Sequence, residues 1–137
     1  NVWYNDGAGN AEASQNRKRV MFLVGQALDL EYALRGVAKA TQKAQYAVQM
    51  AKRAKRSALR IKAISDAGVS IPEVGELLKI AGSAKVSLNN EAALTAAADK
   101  VAVQAKAIAS NYDGSELAAL DGLLPSADAY KGTVYAP

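Results

Sequence analysis

From Val20 onward, apolar and small residues recur at alternating steps of three and four. Val20, Leu23, Ala27, Leu30, Leu34, Val37, Thr41, Ala44, Val48 and Ala51 keep this spacing without a slip. An α-helix turns about 100° per residue, so these positions form one stripe about nine turns long. Near Ala47 the stripe moves to Ala47, Ala51, Ala54, Ala58 and Ile61. A register shift of this kind marks a bend or a change of packing partner. Residues 11–67 contain no proline and only two glycines, Gly25 and Gly36, while Gly68 suits the left-handed position that ends a helix. Run unbroken, some 55 residues would extend roughly 80 Å. A domain of this chain length has a radius of gyration of about 14 Å. The helix is therefore expected to break or kink, near Gly36 or within 46–52, or to project into other subunits.

The second half of the chain reads as shorter helices. Ser70-Ile71-Pro72-Glu73 matches a capping box with proline in the first turn, opening a helix to Ala81 that buries Val74, Leu77, Leu78 and Ala81 before Gly82. Asn89 and Asn90 are candidate caps for the next helix, with Glu91 at its positive end. Its stripe is Leu94, Ala98, Val101, Ala105, Ile108 and Tyr112. Asp113-Gly114-Ser115 breaks that pattern, and a last short helix runs from Glu116 to Leu124, before Pro125. The ends have no helical period. Residues 1–10 and 126–137 read as extended arms flanking a helical domain over 11–125. The arms hold Trp3, Tyr4, Tyr130 and Tyr135, half of the eight aromatic residues. Aromatic rings favour a surface, so the arms fold back on their own domain or reach neighbouring subunits, with disordered ends as the third alternative.

Composition fits this all-α reading of one long, kinked helix and two to three shorter ones. Thirty alanines, 22% charge and three prolines in 137 residues favour helix in a single domain. Cysteine and histidine are absent, which removes disulfides, the usual zinc sites and the commonest general base. The longest bulky apolar run, Val20 to Val24, is far too short to span a bilayer. The first residue is Asn1 rather than Met, so a segment removed ahead of it is expected.

Charge is divided unevenly. Residues 1–65 hold twelve Lys/Arg against four Asp/Glu, and residues 66–137 hold five against nine. Between Ala33 and Ser65 there are nine bases and no acid. Solvated helix faces usually mix signs, because oppositely charged pairs one turn apart are favourable. On a continuous helix Arg35, Lys39, Lys43, Arg53, Arg56 and Arg60 share one side. Lys55 and Lys62 fall on the side that the earlier stripe buries, which again argues for a bend. Arg17, Lys18 and Arg19 form a second cluster, set against the positive end of a helix dipole unless an anion or acidic neighbour compensates. These ten residues, Arg17, Lys18, Arg19, Arg35, Lys39, Lys43, Lys52, Arg53, Arg56 and Arg60, are the candidate nucleic-acid contacts. The alternatives are a plain solvated helix face, or neutralisation by the acidic half of this chain or of a neighbouring one, or by anionic lipid. With few asparagine or aromatic positions on the helix, contact would be to phosphate rather than to bases.

Catalytic patterns are lacking. There is no phosphate-binding GKS or GKT loop and no dinucleotide glycine pattern following a strand. Asp29 and Glu31 point about 200° apart on a helix, a poor geometry for sharing a metal. Asp113, Glu116, Asp121 and Asp128 could gather around calcium but are better explained by surface solubility. No enzyme activity, cofactor or metal is expected.

In layout, with arms at 1–10 and 126–137 and bases from Arg35 to Lys62, the chain resembles the α-helical coat proteins of filamentous and rod-shaped archaeal DNA viruses. The resemblance implies a small helical subunit that wraps duplex DNA in a virion filament. The expected function is a structural assembly subunit, virion-borne or extracellular. It would pack against copies of itself through Ala-rich helices, with Trp3, Tyr4, Tyr130 and Tyr135 as subunit contacts. Its basic helix face would meet nucleic-acid backbone without sequence preference. The alternatives are a protein-only structural subunit, whose basic half docks on the acidic half of the next copy, and a monomeric helical adaptor.

Overall fold

The computed structural model describes residues 3–5, 10–12, 14–40 and 44–124, with backbone alone for 3–5, 10–12 and 44. Four helices form the body: α1 (Gln15–Lys39), α2 (Ala44–Asp66), α3 (Pro72–Ser83) and α4 (Glu91–Asn111), followed by a 3-10 helix at Ser115–Leu123. Ahead of them, two three-residue strands, β1 (Trp3–Asn5) and β2 (Asn10–Glu12), pair antiparallel. The N-terminal arm thus includes a small ribbon reaching Glu12, and the first helix starts at Gln15 rather than Ala11. Ser14 caps it, its hydroxyl accepting from the Arg17 backbone N–H at 3.2 Å. The arm residues Tyr130 and Tyr135 lie outside the described residues, as do the side chains of Trp3 and Tyr4.

The expected break in the long helix falls between Lys39 and Ala44, between the two places the sequence marked. Helix α2 then runs back along α1. Met50 packs against Gly36, and Ser57 and Arg53 reach Asp29, so pairs across the interface occur in reverse order. Gly36 sits inside the helix because a methyl group there would lie 2.8 Å from the Met50 Cγ and Sδ. Helix α4 packs on α1, α3 on both α4 and α2, and the 3-10 helix on α1 and α2. The result is an up-down-up-down four-helix bundle with short connections.

The core follows the sequence stripes closely. Leu23, Ala27, Leu30, Leu34 and Val37 of α1 are buried. So are Ala47, Ala54 and Ile61 of α2, on the shifted register, and Leu94, Ala98, Val101, Ala105 and Ile108 of α4. Val48, which continues the first stripe on a single helix, is half exposed because α2 is a separate helix with its own buried face. Alanines at the contacts let backbones approach. They also leave an open cleft of about 330 Å³ lined by Leu30, Leu34, Ala51, Ala54, Lys55, Ala58, Ala81, Ala84 and Val86.

Two expectations about the ends of α3 are corrected. The α3 N-cap is Ile71, with no side-chain cap, so Ser70 and Glu73 do not form a capping box. Pro72 at the first position removes one unsatisfied donor, and Glu73 turns into the protein instead. Helix α3 also continues through Gly82 to Ser83. Gly68 ends α2 at φ +113°, as expected. Gly114, at φ +104°, lies directly against the Asn16 backbone carbonyl, where no Cβ fits.

Gly114→Ala should therefore destabilise the chain by more than 2 kcal/mol. Gly25→Ala, mid-helix with open space around it, should stabilise it by about 0.5–1 kcal/mol. Urea unfolding followed by circular dichroism reads both.

Candidate nucleic-acid interface

Helix α2 carries Lys52, Arg53, Lys55, Arg56, Arg60 and Lys62 against a single acid, Asp66. Its inner face is Ala47, Ala54, Ser57, Ile61 and Ile64, all buried. Lys52, Lys55, Arg56, Arg60 and Lys62 are exposed on the remaining sides, so Lys55 and Lys62 belong to the surface once α2 is its own helix. Lys62 pairs with Asp66 one turn on, at 3.2 Å. Lys52, Lys55 and Arg56 make no ion pair among the described residues, while the Arg60 charge reaches Asp29 without a direct bond.

Three of the candidate arginines have a different task. The Arg53 Nε donates to Asp29 Oδ1 at 2.7 Å, and the buried Ser57 hydroxyl donates to the other oxygen of that carboxylate. The Arg53 guanidinium also lies over the Tyr32 ring, 4.8 Å from its centroid. Burial opposes ionisation of Asp29, but the bonds from Arg53 and Ser57 outweigh it and hold the carboxyl below its usual range. Arg35 bridges Glu31 on its own helix at 2.8 Å and Asp99 of α4 at 2.9 Å. Arg19 grips Asp121 of the 3-10 helix with two parallel bonds of 2.7 and 2.6 Å, and its other nitrogen donates to Asn16 and to the Gly114 carbonyl. Arg19, with help from Gln15, lowers the Asp121 carboxyl to about 2. The acidic neighbour needed at the start of α1 is thus Asp121 for Arg19.

The remaining candidates are spread out. Arg17 is exposed on the first turn of α1, in an open groove with Asp113, Val20, Met21, Val24 and Tyr112. Lys18 beside it is half-buried, and Lys39 is exposed on the last turn of α1, where the helix dipole favours a cation. Lys43 lies outside the described residues. The fold thus gathers Lys52, Arg53, Arg56 and Arg60 on α2, beside the middle of α1, while the Arg17–Arg19 cluster sits on the first turns of α1.

Two tyrosines that sequence reasoning left out of the face stand beside it. Tyr32 of α1 meets Arg53, and Tyr46 lies two turns before Arg53 on α2. The spacing of Tyr46, Arg53 and Arg60 is legible in the sequence, but Tyr32 joins them only because α2 folds back.

The acids of the second half are largely occupied. Glu73, buried, accepts from the Tyr112 hydroxyl at 2.6 Å and from Asn111 at 3.4 Å. Burial works against its charge, yet these bonds and one from the backbone hold it below the usual range. The same contact pushes Tyr112 up to about 12. Asp113 turns onto the backbone and hydroxyl of Ser115. Among the described residues, no three acids gather as a metal site, and no helix is long and apolar enough to cross a membrane. No family model, curated protein or solved structure matches the chain.

Depressed carboxyls stabilise the fold above their unfolded values of about 4, and that contribution disappears as pH falls through the folded values. Melting temperature should hold steady from pH 7 to 5 and drop steeply below about 4. Tyr112 works in the opposite direction: its share is present below about pH 10 and lost as pH rises towards about 12. Absorbance at alkaline pH should show Tyr112 titrating late, and Glu73→Gln should bring it down.

Proposed function

We propose that this chain is a non-catalytic structural subunit that binds nucleic-acid backbone through the outer side of α2, without sequence preference. The observation that carries this reading is the cluster of Lys52, Lys55, Arg56 and Arg60, exposed on two successive turns. Exposed bases at this density repel one another, and a polyanion relieves that repulsion. Each phosphate met releases condensed counterions, which supplies affinity without base contacts.

Arg53 plays a supporting part here. Locked to Asp29, it fixes α2 on α1 and so holds its neighbours in register. The protein-only alternative has less support, because Asp99 and Asp121 already hold Arg35 and Arg19 within one chain. As a coat, many copies would share one strand, each presenting α2 to it. Such an arrangement needs no catalytic or metal-binding group.

Fluorescence anisotropy with random-sequence 30-mers over a salt series tests the proposal. Affinity should fall with a log–log slope of about −3 to −5, from four or five phosphates neutralised. Lys52→Ala/Arg56→Ala/Arg60→Ala should reduce that slope by about 3 units with an unchanged melting temperature. Undiminished binding by the triple variant would remove α2 as the contact surface.

A further inference from the structure

We infer that the face shared by α1 and α2 takes single-stranded nucleic acid, with Tyr32 and Tyr46 as platforms on which its bases stack. This rests on the backbone-binding reading above and narrows it to one class of strand.

Tyr46, Gln49, Arg53, Arg56 and Arg60 follow steps of three and four, so they line one side of α2. The return of α2 along α1 sets Tyr32 against the middle of that line, its ring centroid 4.8 Å from the Arg53 guanidinium carbon. Tyr46 is close enough for its phenol to act on the Arg53 charge. Two tyrosines therefore flank one arginine, with Arg56 and Arg60 continuing the line.

Both rings face outward, Tyr32 being 54% exposed and Tyr46 41%. Neither is among the buried core positions, where Leu23, Leu30, Ile61 and Leu94 do the packing. The Asp29 carboxylate fixes Arg53, and Arg53 covers one side of the Tyr32 ring. The ring is thus held in place with its exposed surface free. A fixed, exposed ring beside phosphate-binding cations is what an unstacked base requires, since every base has a π-face and stacking is sequence-tolerant. A duplex keeps its bases stacked on one another and would meet only the cations, leaving both rings idle.

The test measures three ligands at one salt concentration: a 20-nucleotide oligothymidine, an abasic strand of equal length and charge, and a 20-base-pair duplex. Oligothymidine should bind at least tenfold tighter than either. Tyr32→Leu/Tyr46→Leu should erase that advantage while leaving abasic binding unchanged, and Tyr→Phe at both sites should retain it. If leucine at 32 unfolds the chain, Tyr46→Leu alone carries the comparison, with an expected loss of about fivefold or more. Equal affinity for thymidine and abasic strands, or an advantage that survives the leucine variants, overturns the stacking platforms and leaves backbone binding standing. Failure of all three ligands to bind removes the backbone reading itself.

Discussion

The rest of the structure depends on the packing of α2 back along α1. A single helix over these residues would leave one long apolar stripe on a rod with nothing beside it. Folding the rod in two puts the stripe of the first half against the shifted stripe of the second. Gly36 allows the close crossing at Met50, and Asp29 ties the two helices through Arg53 and Ser57. Helices α3 and α4 then close the bundle over the same apolar surface, and the 3-10 helix covers its end.

That reversal also decides the electrostatics. Along the sequence, the bases from Arg35 to Lys62 have no acid between them. In three dimensions α1 and α4 supply Glu31, Asp99 and Asp29 to Arg35 and Arg53, and the 3-10 helix supplies Asp121 to Arg19. Arginine suits these bridges because its planar fork can bind two acceptors at once. Lysines and the outer arginines of α2 stay in water. The same segment therefore contains two populations of cations, one holding helices together and one facing outward. The functional proposal belongs to the second alone.

Much of the fold was legible because burial periodicity is local. The stripe of α4, from Leu94 to Ile108, and the stop at Gly68 needed nothing beyond helical geometry. The register shift near Ala47 was a true sign that the packing partner changes, although the break itself falls a few residues earlier. The fate of Ser70 and Glu73 was not legible. A capping box is a local pattern, whereas Glu73 is claimed by Tyr112, thirty-nine residues away. The candidate site suffered from the same limit. Helical angles from Arg35 to Arg60 assumed one continuous rod. They placed Arg53 correctly beside Arg56 and Arg60 but could not bring in Asp29 or Tyr32, which arrive only with the reversal.

Asp29 and Arg53 would lie about 36 Å apart on an unbroken helix, far beyond direct interaction, and they touch only if the chain doubles back. A double-mutant cycle of Asp29→Asn and Arg53→Gln, read by urea unfolding, therefore addresses the account at its base. A coupling energy of about 1–2 kcal/mol is expected for a partly buried, hydrogen-bonded pair. Strict additivity of the two substitutions would contradict it.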